Sequence, residues 1–233
     1  MVGPNIPTPF RRRLLRRIAY VRRNRSGVLL GGLLVFILVQ PLLADSPIAA
    51  TFLAFGTISI MLLGLWALHA RRRFLVIVGI LALLVVHGIA ADRMGEHWLR
   101  PLTLLLIVTF IGTITAALLR YVLDWHPITT DKVFGAVAAY LLIAFTFTSV
   151  FALLQEMQPG AFRASTVDIR LDWPAMMYFS VTVLTSTGFG EIVPATPMAR
   201  ALIVVEQVLG VMYVAFLIAR LANRYGVRGN REG

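Results

Sequence analysis

Six apolar runs, each near the length of a membrane crossing, constrain this chain more than any other feature. They lie at about 27–44, 49–70, 74–91, 101–122, 132–154 and 199–222. A helix needs about 20 apolar residues to cross the hydrocarbon core, with latitude on both sides. A seventh run, about 173–185, is too short to cross. It predicts a re-entrant helix, which membranes tolerate only where it is buried in protein or faces water. Composition closes off the soluble alternative. The 233 residues are 58% hydrophobic and only 14% charged, with a mean hydropathy of +0.81. Soluble domains are about 45–50% apolar with about a quarter of residues charged, and a chain this short cannot hide the excess in one core. The expected class is an all-α membrane protein of six transmembrane helices plus one re-entrant segment.

The basic residues set an orientation. With the N-terminus inside, the inner segments carry the eight arginines from Arg11 to Arg25, then Arg71, Arg72, Arg73, Arg120, Lys132, Arg220, Arg224, Arg228 and Arg231. The outer segments carry only Arg93, Arg100, Arg163, Arg170 and Arg200. Basic residues near helix ends stay cytoplasmic, so both termini are expected there, in a multi-pass protein of the plasma (cell inner) membrane. The acidic residues Asp45, Asp92, Glu96, Glu156, Asp168, Asp172 and Glu191 fall on the outer side. No leader cleavage site follows the basic start, so the first apolar run reads as a retained helix. The run Arg11 to Arg25 also suits anionic lipid headgroups.

A net charge of +11 raises nucleic acid as a partner. The arginines sit in the gaps between apolar runs rather than among aromatics on a folded face, so nucleic acid is not expected. There are no cysteines, which excludes disulfides and thiolate chemistry. His87 and His97 have no cysteine or further histidine close by to complete a metal site, so none is expected. His69, His87 and Glu206 fall on three helices at no motif spacing, so no enzyme is expected. A transporter would show repeated halves with broken helices, and no internal repeat is present.

The informative stretch is Tyr178 to Pro194, YFSVTVLTSTGFGEIVP. A short apolar helix ends in three hydroxyl residues, Thr185, Ser186 and Thr187, followed by Gly188, Phe189 and Gly190. Glycine takes backbone conformations closed to other residues. Alternating such residues can turn successive carbonyls to one side, and rings of carbonyls can replace the water around a cation. A half-helix aiming its C-terminus inward adds partial negative charge. Asp172 can cap that half-helix with Pro174 in its first turn. Thr129, Thr130 and Asp131 are cap candidates for the preceding helix, and Pro159-Gly160 is a turn beyond its end.

This block resembles the pore loop of the potassium-channel superfamily, whose filter reads TVGYG. The resemblance covers roughly 130–222: outer helix, pore helix, filter and inner helix. It implies a passive potassium channel with no cofactor, potassium ions in the filter, and a homotetramer of four-fold symmetry. Ser186 matches the filter threonine, Thr187 the usual valine, Phe189 the usual tyrosine, Gly188 and Gly190 the two glycines, and Glu191 the usual aspartate. The resemblance thus implies potassium sites at the carbonyls of Ser186, Thr187, Gly188 and Phe189. Tyr178, Thr182 and Glu191 are expected to support the filter, with Tyr178 donating to Glu191. Serine for threonine and phenylalanine for tyrosine imply a less firmly braced filter. A non-selective cation channel of the same architecture is the alternative, which the aromatic in the intact GFG argues against.

The implied organisation is a basic cytoplasmic segment over 1–26, a four-helix domain over 27–124, a pore domain over 130–222 and a short cytoplasmic tail over 223–233. The four-helix domain holds the place of a voltage sensor, yet its fourth helix carries Arg120 alone, so voltage gating is not expected. Arg71-Arg72-Arg73 reads as a topology anchor. The tail leaves no room for a nucleotide-binding domain. Gly210, 20 residues after Gly190, reads either as the family's gating hinge or as a packing glycine. Val211, Val214, Ala215 and Ile218 are expected to line the cavity. Glu206 is a buried-acid candidate that either has a function or pairs locally with Arg200 or pore-helix groups.

Overall fold

The computed structural model describes residues 24–43, 46, 49–67, 99–124, 129–165 and 171–229, with isolated positions at 79, 86, 90 and 95. Apart from residues 79, 86 and 90, the expected third span at about 74–91 lies outside the described residues, as do the Arg71-Arg72-Arg73 cluster, His69, His87, His97 and nearly all of the basic N-terminal segment. The elements are α1 (Arg25–Val39), α2 (Ala49–Ala67), α3 (Arg100–Leu123), α4 (Thr130–Met157), β1 (Phe162–Ala164), α5 (Trp173–Leu184), β2 (Ile192–Pro194) and α6 (Pro197–Gly229). A short 3₁₀ turn, Pro41–Leu43, follows α1. Proline has no N–H to continue the ladder and restricts the residue before it, which is why α1 stops short of the expected residue 44.

Four described helices are long and apolar enough to cross a membrane: Arg25–Leu43, Arg100–Leu123, Thr130–Met157 and Pro197–Arg220. Seven of their serine and threonine hydroxyls are satisfied within the helix. Thr103, Thr109, Thr113, Thr115, Thr146, Thr148 and Ser149 each donate to the carbonyl four residues back. In lipid there is no water to do so. The last helix outruns its expected end. Beyond Ala222 it continues to Gly229, so most of the expected tail is a helical extension.

The main core joins α1, α3 and α4 through Leu29, Leu33, Phe36, Phe110, Leu118 and Phe145. Trp173, at the start of α5, meets Phe36 and Phe145 edge-on at 5.8 and 5.6 Å between ring centroids. One contact set thus joins the N-terminal helices to α5.

Asp131 shows a role the sequence did not reveal. Thr129 caps α4 by accepting the Lys132 amide at 3.2 Å. The Asp131 carboxylate instead accepts the Ser26 amide and hydroxyl, both at 2.9 Å, and the Tyr121 hydroxyl at 2.8 Å. It ties α1 and α3 to the start of α4. Beside it, the Arg220 guanidinium of α6 donates to the Val122 and Asp124 carbonyls, and Lys132 Nζ donates to the Asp124 carbonyl at 3.1 Å. Cations therefore cap the C-terminal end of α3, where the helix dipole is negative. Hydrogen bonds to charged groups contribute about 1.5–3 kcal/mol each. Asp131→Ala is expected to destabilise the detergent-solubilised protein by on the order of 2–4 kcal/mol, read as a lowered thermal midpoint. An unchanged midpoint would remove the role given to this carboxylate.

Candidate functional site

The short helix α5 has 12 residues. At about 1.5 Å per residue it reaches roughly 18 Å, well short of the hydrocarbon core. Asp172 caps it, accepting the Ala175 amide at 3.1 Å, with Pro174 in the first turn. Both features follow the sequence expectation. Met176, Phe179 and Val183 bury one face of α5 in a second core with Phe151, Phe162 and Ile192. The rings of Phe151, Phe162 and Phe179 form a mutual triangle with centroids 5.1 to 5.6 Å apart.

The helix ends at Thr185, and the backbone then alternates. Positive φ occurs at Ser186 (57°), Gly188 (55°) and Gly190 (80°), every second residue. Ser186 is the one non-glycine residue with positive φ among the described residues. A left-handed φ there is less costly for serine than for a β-branched residue. The turn is fastened to α5 by backbone bonds. The amides of Thr187 and Gly188 both donate to the Thr182 carbonyl, at 2.8 and 3.2 Å, and Ser186 N donates to Val183 O at 2.9 Å. Thr182 thus supports the turn by its carbonyl. Its hydroxyl turns back to Phe179 O at 2.7 Å. The Thr185 hydroxyl donates to Val181 O at 2.8 Å and lies 2.9 Å from the Thr187 hydroxyl. Residues 185–190 are all exposed in the single chain.

The far end of the turn is held twice. Tyr178 and Phe189 stack with ring planes 3° apart and centroids 6.2 Å apart. The Tyr178 hydroxyl hydrogen-bonds Glu191. Partial desolvation, then the charge and hydrogen bond of Glu191, hold the Tyr178 phenol above its ordinary range. It therefore remains protonated and acts as the donor. Next to this, β1 and β2 pair antiparallel in the register Phe162↔Pro194, Arg163↔Val193 and Ala164↔Ile192. The Ser165 amide and hydroxyl then donate to Glu191 O at 2.8 and 3.0 Å. Strands of three residues carry no readable period, so this clamp left no signal in the sequence.

The inner helix α6 presents one buried stripe, Glu206, Gly210 and Tyr213. A Cβ at Gly210 would lie 2.2 Å from Leu184 O, the last carbonyl of α5. That same carbonyl accepts the Tyr140 hydroxyl of α4 at 3.1 Å. Gly210 is therefore a close-packing glycine. Tyr213 donates to Ala136 O at 2.8 Å and stacks on Tyr140. Glu206 is fully buried and meets Ser180 of α5, its Oε1 2.5 Å from Ser180 Oγ. Of its two expected local partners, it takes the pore helix and not Arg200. Sequence reasoning did not single out Ser180 or Tyr140. Val211, Val214, Ala215 and Ile218 are exposed on α6.

A family match coincides with this assembly. Residues 135–226 match a family model described as an ion channel. Over 62 residues the chain is 36% identical to potassium channel subfamily K member 5 of Homo sapiens. That match takes in 27% of this chain and 12% of the relative's length. No solved structure matches significantly. The family match begins in α4, takes in the short helix and the alternating turn, and ends in α6, so this part of the chain is similar to ion channels, and the human relative it resembles is a potassium channel.

Proposed function

We propose that the chain is one subunit of a homotetrameric, potassium-selective channel that passes potassium ions passively across the membrane. Four copies of residues 185–190 would surround one axis. The carbonyls of Ser186, Thr187, Gly188 and Phe189, with the Ser186 hydroxyl, would replace the ion's hydration shell. No covalent step is involved, and potassium is cargo rather than cofactor.

The observation that carries this reading is the positive φ at 186, 188 and 190. Left-handed backbone at non-glycine or strained positions persists only where surrounding structure enforces it, and it clusters at functional sites. Two further features favour a four-copy assembly. The turn is exposed in one chain, and so is an apolar face of α6 that includes Val204, Val208, Val211 and Ile218. An exposed apolar helix face marks a contact with lipid or with another copy. Val211, Val214, Ala215 and Ile218 would then line the cavity, where an apolar constriction can gate by dewetting. Six spans, both termini cytoplasmic and a plasma-membrane location complete the proposal. Arg120, alone near the end of α3, supports a gate that does not depend on voltage.

The test is tracer rubidium uptake into proteoliposomes loaded with KCl and diluted into NaCl. A potassium-selective pore sets up a diffusion potential that concentrates the tracer. A pore passing sodium equally well dissipates that potential, and no uptake would then replace this reading with the non-selective one.

A further inference from the structure

The conduction scheme above leaves Glu206 without a task, although its surroundings are specific. The side chain is 0% exposed, between α6 and the back of α5. Ser180 Oγ lies 2.5 Å from Glu206 Oε1 and 2.8 Å from the Ala144 carbonyl of α4. Glu206 Oε2 has no hydrogen-bond partner among the described residues. The titratable side chain facing it from α4 is Tyr140, whose hydroxyl is committed to Leu184 O. Among the described residues no cation pairs with Glu206.

A count of hydrogens fixes how this group is wired. Two oxygen–oxygen contacts of hydrogen-bond length need two hydrogens. Ser180 supplies one, and the Ala144 carbonyl can only accept. The second must come from Glu206. A carboxyl that donates to Ser180, which donates to Ala144, makes a complete chain. A carboxylate would leave two acceptors competing for one hydrogen, and a buried charge with an unpartnered oxygen.

We propose that Glu206 is a positioning residue for the filter: in its neutral form it bridges through Ser180 to Ala144 and fixes the pore helix between the outer and inner helices. The bridge sits close to the turn in sequence and in space. Two residues beyond Ser180, the Thr182 carbonyl holds the amides of Thr187 and Gly188. One helical turn beyond Glu206, Gly210 abuts the end of the same helix. A shift of α5 is therefore passed directly to the alternating backbone.

This inference rests on the channel reading, so its test has one arm that is independent of conduction. In infrared difference spectra at neutral pH, wild type minus Glu206→Gln is expected to show a protonated-carboxyl stretch. A pair of carboxylate bands in its place would overturn the proposal. In the second arm, the potassium-over-sodium permeability ratio is compared across variants. Glu206→Gln, whose amide can still donate to Ser180, is expected to stay within about twofold of wild type. Glu206→Leu and Ser180→Ala are expected to lower the ratio about two- to tenfold, the equilibrium weight of one buried hydrogen bond. Glu206→Gln falling as far as Glu206→Leu would contradict the neutral bridge. Should Glu206→Leu fail to assemble, Ser180→Ala removes only a hydroxyl and decides alone, and an unchanged ratio there overturns the proposal. Wild type passing sodium freely would sink the potassium-selective reading, while the infrared band still reports on Glu206.

Discussion

Gly188→Ala is expected to yield a folded, membrane-inserted protein that no longer conducts potassium. A Cβ at Gly188 meets nothing within 4 Å in the chain, so no clash would block folding. The cost comes from the backbone, held at φ +55°. Alanine in the left-handed region costs about 1–2 kcal/mol. In the proposed tetramer that strain recurs four times in one ring, about 4–8 kcal/mol against the conducting backbone. At about 1.4 kcal/mol per tenfold, conduction falls on the order of a thousandfold or more. Single-channel recording beside a thermal melt checks both halves. Intact conduction with Gly188→Ala would mean the alternation at 186, 188 and 190 has no part in the ion path.

The second large effect is at Gly210, where the sequence left two readings open and the structure gives them opposite signs. If the glycine acted only as a hinge, Gly210→Ala would stiffen α6 and stabilise it, since glycine costs about 0.5–1 kcal/mol in a helix interior. The observed packing predicts the reverse. The new Cβ would fall 2.2 Å from Leu184 O and 3.0 Å from Leu184 Cδ1. The nearer atom is backbone at the end of α5, and the Tyr140 hydroxyl holds it in place. It cannot step aside as a flexible side chain could. Overpacking costs typically about 1–3 kcal/mol and occasionally more, and this site belongs at the upper end. The expected result is a thermal midpoint lowered by several degrees and a weaker assembly. A raised midpoint would return Gly210 to the hinge reading.

These two glycines also show how much of the site the sequence disclosed. Gly188 and Gly190 mark two of the three left-handed positions in the sequence, because glycine takes that backbone freely, while nothing marked Ser186 as the third. Asp172 and Pro174 mark the start of α5, because capping is local chemistry. Helix boundaries at α3 and α4 fall within a few residues of expectation, since about 20 apolar residues leave little choice. The end of α6 was misjudged, because polar residues after Ala222 look like a tail while remaining compatible with helix.

Contacts between distant segments could not be read. Asp131 looked like a cap and is instead shared with Ser26, 105 positions away, and with Tyr121. Arg220 looked like an orientation signal and also closes the end of α3, 98 positions away. Ser180 looked like one more small residue in an apolar helix, until α4 and α6 brought Ala144 and Glu206 to either side of it. Each depends on how helices pack, and the apolar pattern that reveals a membrane helix is nearly uniform around it. A soluble helix names its buried face by periodicity. Here that information is weak.

The central claim is potassium selectivity in the alternating turn, and the most direct measurement is the reversal potential of purified protein in planar bilayers under a KCl/NaCl gradient. A reversal near the potassium equilibrium value is the predicted result. A reversal near zero, with sodium and potassium equally permeant, would contradict the account and make the same fold a non-selective pore.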